Sequence, residues 1–172
     1  MTRVKGAIDT QIADLVSLKG DPFDHRMWED SSNAKLVENE SYSVEISLFP
    51  LIRNFVSLLT TPILVGSDFL GNYPYTIEDL QQFDAGMLYF LLKIPAWIPI
   101  EKTQSSHAAR ERLRCSMIEL FTVMGRVLDG GDPGPRWQNL ADVSEFMWER
   151  CKIWKQKGVP PNHYAGGELA DA

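Results

Sequence analysis

The chain has 172 residues, 44% of them hydrophobic and 23% charged, with a formal net charge of -6 and a pI near 5.1. That balance belongs to a globular chain long enough to bury a core, and it excludes a disordered or fibrous class. It also argues against nucleic-acid binding, which needs a basic face: Arg110, Arg112 and Arg114 cluster, but Glu111 and Glu119 lie among them.

Taken in chain order, Val4, Ile8, Ile12 and Leu15 recur at steps of four and three and predict a helix. It should stop near Gly20, because Gly20-Asp21-Pro22 is turn chemistry. The N-terminus from Met1 to Gly6 has no apolar signal core, so the expected location is intracellular, in the cytoplasm or at the endoplasmic-reticulum surface. From Phe23 to Tyr42 the pattern is polar and weakly helical, with Met27, Trp28, Leu36 and Val37 as the packing residues. Val44, Ile46 and Leu48 then alternate as a short strand does. The longest apolar stretch, Leu48 to Val65, is interrupted by Pro50, Arg53, Asn54 and Pro62. It reads as a core helix carrying Leu51, Ile52, Phe55, Leu58 and Leu59, because a membrane span needs about 20 mostly apolar residues.

Gly71-Asn72-Tyr73-Pro74 breaks the chain, and Thr76 followed three residues later by Asp79 is a capping-box variant. The helix it opens has a buried face of Leu80, Phe83, Met87, Phe90 and Leu91. Pro95 and Pro99 bracket Trp97 and Ile98 in a loop, 94–100, which no helix crosses cleanly. Trp97 is expected to pack on its own helices; the alternative is contact with a membrane surface through this loop alone. The clearest helix begins near Ser105 or Ser106 and runs to Leu128, burying Leu113, Met117, Leu120, Phe121, Met124 and Leu128. Glu111 and Arg114 on it form an exposed ion pair by spacing. Gly130 to Pro135 ends it, and a further helix from Asp142 to Lys157 places Val143, Phe146, Met147, Arg150, Cys151 and Trp154 along one side.

The blocks Asp132-Pro133-Gly134-Pro135-Arg136-Trp137, Leu140-Ala141-Asp142-Val143-Ser144, Met147-Trp148-Glu149-Arg150, Ile153-Trp154 and Gly158-Val159-Pro160-Pro161 come in that order. Upstream stand Gly66-Ser67-Asp68-Phe69-Leu70, Phe83-Asp84-Ala85-Gly86, Ile94 to Pro99, and His107 to Leu113. Together they resemble the middle stretch of fungal cytochromes P-450, over about two-thirds of the chain. The resemblance implies a mainly α, partial cytochrome P-450-like fold across 1–172, treated as a single region: the helices that roof a substrate pocket and their flanks. It implies the start of the family's central helix at 160–172, and a pocket-facing role for Phe83, Met87 and Phe90. Substrate stays unassigned.

Such an enzyme needs a Cys thiolate as the axial haem ligand, in a Gly-containing loop that opens a helix after a Phe. Cys115 follows Arg114 and Cys151 follows Arg150, both inside helical patterns, so both read as buried or half-buried thiols in a reducing compartment. Glu111 and Arg114 match a Glu-x-x-Arg spacing but lie in the roof segment. Ala165-Gly166-Gly167-Glu168 is followed by Leu169, with no Thr. His25, His107 and His163 are far apart and give no zinc spacing, and phosphate-loop and Gly-x-Ser-x-Gly patterns are missing. The expectation is a truncated monooxygenase relative of fungal oxidative or secondary metabolism, not catalytic alone and holding no cofactor; haem belongs to the complete family. The alternatives are a non-enzymatic α-helical interaction or self-associating protein, and a gene fragment whose catalytic half lies downstream. On either fragment reading Phe83, Met87, Phe90, Leu120 and Phe121 are expected to be partly uncovered.

Overall fold

The computed structural model describes residues 6, 9–10, 12–17, 26–30, 32–37 and 43–168, and the protein is mainly α-helical. Its contacts divide the chain into two compact units, Met1–Ile63 and Leu64–Ala172.

In the first unit a tight turn at Ile12–Asp14 precedes a short helix, α1 (Met27–Asp30), and an antiparallel pair, β1 (Lys35–Val37) and β2 (Ser43–Glu45). Lys35 faces Glu45, Leu36 faces Val44 and Val37 faces Ser43. Helix α2 (Leu48–Val65) follows, its last two residues belonging to the second unit. Residues 6, 9 and 10 are helical, but the predicted helix does not continue through Ile12 and Leu15. Tertiary partners take the backbone groups a longer helix would use: Trp28 Nε1 donates to the Leu15 carbonyl at 2.9 Å, and the buried Glu29 carboxylate accepts from the Ser17 N–H at 2.6 Å. Val4, Ile8 and Gly20 lie outside the described residues. The predicted strand ends before Leu48, because the Ser47 carbonyl accepts from the Leu51 N–H and so starts α2.

Pro50 is tolerated in the first turn of α2, where its missing N–H has no intrahelical partner to lose. Leu51 and Phe55 are buried with Trp28, whose ring meets Phe55 edge-on at 5.1 Å. Only this face is core: Leu48, Phe49, Ile52 and Val56 are exposed, which corrects the reading of Ile52. Among the described residues α2 is the one helix long and apolar enough to span a membrane by length and composition, with a mean hydropathy of 1.6.

The second unit contains α3 (Ser67–Asn72), α4 (Thr76–Ala85), α5 (Met87–Leu91), α6 (Glu101–Leu128), a tight turn at Leu140–Asp142, α7 (Glu145–Gln156) and α8 (Pro161–Glu168). The 28-residue α6 is the axis on which α4, α7 and α8 pack. It begins about a turn earlier than predicted, after Ile100, with Glu101 favourably placed in the positive first turn. Its buried stripe changes character along its length. Thr103, Ser106 and Ala109 are small, whereas Leu113, Leu120, Phe121 and Met124 are large. The small end admits a close neighbour. A Cβ on Gly86 would lie 2.1 Å from Ser106 Oγ and 2.2 Å from Ser106 Cβ, so glycine alone fits where the predicted single helix breaks into α4 and α5.

The large end of α6 is covered by α7, α8 and the segment between Trp137 and Val143. Trp137, Leu140, Val143, Met147 and Cys151 form one buried cluster with Leu120, Phe121 and Met124. The expectation that Phe90, Leu120 and Phe121 stay uncovered is therefore overturned: they are 7%, 0% and 1% exposed. Each such burial is worth about 1.5–3 kcal/mol. Gly130, at φ +78, ends α6, and the Gly131 N–H returns to the Arg126 carbonyl at 3.0 Å. Helix α7 is capped by Ser144, whose hydroxyl accepts from the Met147 N–H at 3.3 Å. It buries Met147 and Cys151, but Phe146 is 56% exposed with the Arg150 guanidinium 5.2 Å from its ring centre, not on the core side as predicted.

Candidate functional site

The pocket-facing candidates are only partly brought together. The rings of Phe83 and Phe90 lie 5.3 Å apart, and Phe90 meets the edge of His107 at 4.7 Å, which carries the contact from α4 and α5 onto α6. Arg110 stands over the same Phe90 ring at 5.5 Å. Met87 does not join them; it is 39% exposed, because the break at Gly86 turns it away.

Three ties hold α4, α5 and the following loop on α6. His107 Nε2 is 3.0 Å from the Ile94 carbonyl. Gly86 lies against Ser106. Arg112 donates to both oxygens of Asp79, from Nε at 3.0 and 3.1 Å and from Nη2 at 2.5 Å. Asp79 is thereby withdrawn from the predicted capping box, and Thr76 Oγ1 instead donates to the Tyr73 carbonyl at 2.6 Å.

The outer side of this region is apolar. Leu88, Leu91, Leu92 and Ile100 are exposed, and Trp97 is 79% exposed, so the expectation that Trp97 packs on its own helices fails. Pro95 and Pro99 hold the loop away from helical geometry, and the indole stands largely in solvent. From Gly86 to Ile100 the sequence holds a single charged side chain, Lys93. Sequence reasoning placed the patch in loop 94–100, missed Leu88 and Leu92, and put Leu91 on the buried face although it is exposed, while the acid-free run was there to be read.

A second cluster, not anticipated from sequence, centres on Glu119 of α6. Its carboxylate accepts from Tyr73 Oη, from Arg136 Nη1 at 3.2 Å and from Trp137 Nε1 at 3.3 Å. Asn72 Nδ2 donates to the Arg136 carbonyl at 2.9 Å, closing the loop after α6 onto the end of α3. Burial, then the Glu119 hydrogen bond and charge, push the Tyr73 hydroxyl up to about 12, with Arg136 acting in the opposite sense. Clefts of about 440 and 510 Å³ flank Glu119, and Cys115 lines both.

A third set of bonds straps the Asn139–Ser144 segment to α3 and to the last turn of α2. Asp142 Oδ2 accepts from the Ser67 N–H at 3.0 Å and from Ser67 Oγ at 2.6 Å, and Asp68 accepts from the Asn139 N–H at 2.5 Å and Nδ2 at 2.9 Å. The Ser144 N–H and hydroxyl both donate to the Leu64 carbonyl, at 3.1 and 3.0 Å. Gly66, at φ +84, makes room: a Cβ there would lie 2.5 Å from Asp142 Oδ1.

The cysteines differ from one another. Cys151 is 1% exposed, its Sγ is 4.0 Å from the Phe121 carbonyl, and burial raises its pKa, which disfavours the thiolate. Cys115, expected to be buried or half-buried, is exposed on the outer face of α6, 3.6 Å from a Glu111 oxygen. Neither lies in a loop opening a helix, and neither fits an axial haem ligand. Arg114 and Glu111 form the predicted surface ion pair at 2.5 Å. His163 and His107 are separated by more than fifty residues and His25 lies outside the described residues, as does Leu169. No group of acids, His and Cys able to hold a metal occurs among the described residues. Comparison with protein-family models, with curated proteins and with solved structures gives no match for this chain.

Proposed function

We propose that this chain is a cytochrome P-450-like helical module, related to the haem-dependent monooxygenases of fungal oxidative metabolism and without catalysis of its own. One observation carries the reading. The Gly66–Leu70 and Leu140–Ser144 blocks, far apart in sequence, are hydrogen-bonded to each other through Ser67 and Asp142, and the Phe83–Gly86 block packs against Ser106, one residue before the His107–Leu113 block. On this reading Phe83 and Phe90 belong to the inner face of a pocket roof, and α8 begins the central helix. Because neither thiol fits the axial ligand, no catalytic step is assigned to these residues, and the substrate is unassigned. Reading the genomic sequence after the Ala172 codon tests the reading: remnants of a thiolate loop out of frame support it, whereas an intact loop in an open frame continuous with this chain favours the alternative of a gene fragment with its catalytic half downstream.

A second reading, favoured by the exposure of Trp97, is contact with a lipid surface through α5 and the 92–100 segment. An indole beside leucines and one lysine, with no acid, suits the boundary between hydrocarbon and headgroups. Co-sedimentation with phosphatidylcholine vesicles tests it. The chain should pellet with them, and a Trp97→Ser, Leu91→Ser double variant should lose most of that binding. Equal pelleting of the variant, or pelleting without vesicles, would refute lipid contact, the latter favouring self-association.

A further inference from the structure

We draw no further inference here: the strongest candidate, the pair of clefts beside Cys115 and Glu119 on α6, carries nothing because its carboxylates are already bonded to Arg112, Arg114, Tyr73 and Arg136 and no buried unpartnered group there names a ligand, while the apolar patch of α5 and the 92–100 segment belongs to the reading already proposed.

Discussion

Replacing Gly86 by alanine isolates the contact on which the placement of α4 and α5 depends. Gly86 has φ -94 and ψ -1, on the negative-φ side that alanine also occupies, so the substitution forces no left-handed backbone and the loss measures the contact. The added methyl would lie 2.2 Å from Ser106 Cβ, where carbon atoms prefer about 3.5–4.0 Å. Ser106 is 2% exposed and sits on a long helix, so it cannot swing aside. An overpacked core site of this kind costs about 1–3 kcal/mol, and the depth of this overlap puts the expected loss at about 2–3 kcal/mol. Ser106→Gly alone should cost about 0.5 kcal/mol in helix propensity, since serine already stands between alanine and glycine. The double variant should be no worse than Ser106→Gly, because the obstructing side chain is gone. Urea unfolding of the four proteins gives the coupling energy directly. A Gly86→Ala loss below about 0.5 kcal/mol, or simple additivity in the double variant, would refute the close approach of α5 to α6.

Two further outcomes are expected. Tyr73 has its pKa raised from 10.0 to about 12 in the folded protein, so the unfolded chain loses this proton first as pH rises. Its contribution is intact below about pH 10 and is lost between about 10 and 12, about 1 kcal/mol once solvent screening is allowed for. Tyr73→Phe should remove that part of the alkaline slope in urea unfolding; an unchanged slope would contradict the account. Titration of the purified chain with haem should give no thiolate-type band in the reduced carbon monoxide difference spectrum. A stoichiometric band lost in Cys115→Ser or Cys151→Ser would overturn the ligand argument.

The long elements were legible because their apolar spacing runs over several turns. Helix α6 is readable from Ser105 or Ser106 to Leu128, where large residues from Leu113 onward mark the face, but not in its first turn, where the buried Thr103 looks polar. The pattern of helix α7 predicts the helix but places Phe146 on its core side, since periodicity does not distinguish Phe146 from Met147 at its first turn. The Asp79 capping box failed because Arg112, 33 residues away, offers a charged partner worth more than a local N–H. That competition is invisible in a short window. The Glu119 cluster and the strap from Asp142 to Ser67 join residues far apart in sequence, and nothing local announces them. The β1 strand depends on pairing with β2, and its three residues are too few to show a pattern of their own. The uncovered-core expectation assumed that apolar faces need elements beyond the chain; α7 and the 137–143 segment cover Leu120, Phe121 and Met124.

The central claim is the P-450-like origin of these helices, and the most direct measurement is the genomic sequence that follows the Ala172 codon, read in all three forward frames. The account predicts the remainder of a central helix and, further on, a loop with Phe, Gly and a Cys that opens a helix, whether or not the frame stays open. Several hundred codons containing no trace of either would contradict it and would leave an independent α-helical module in its place.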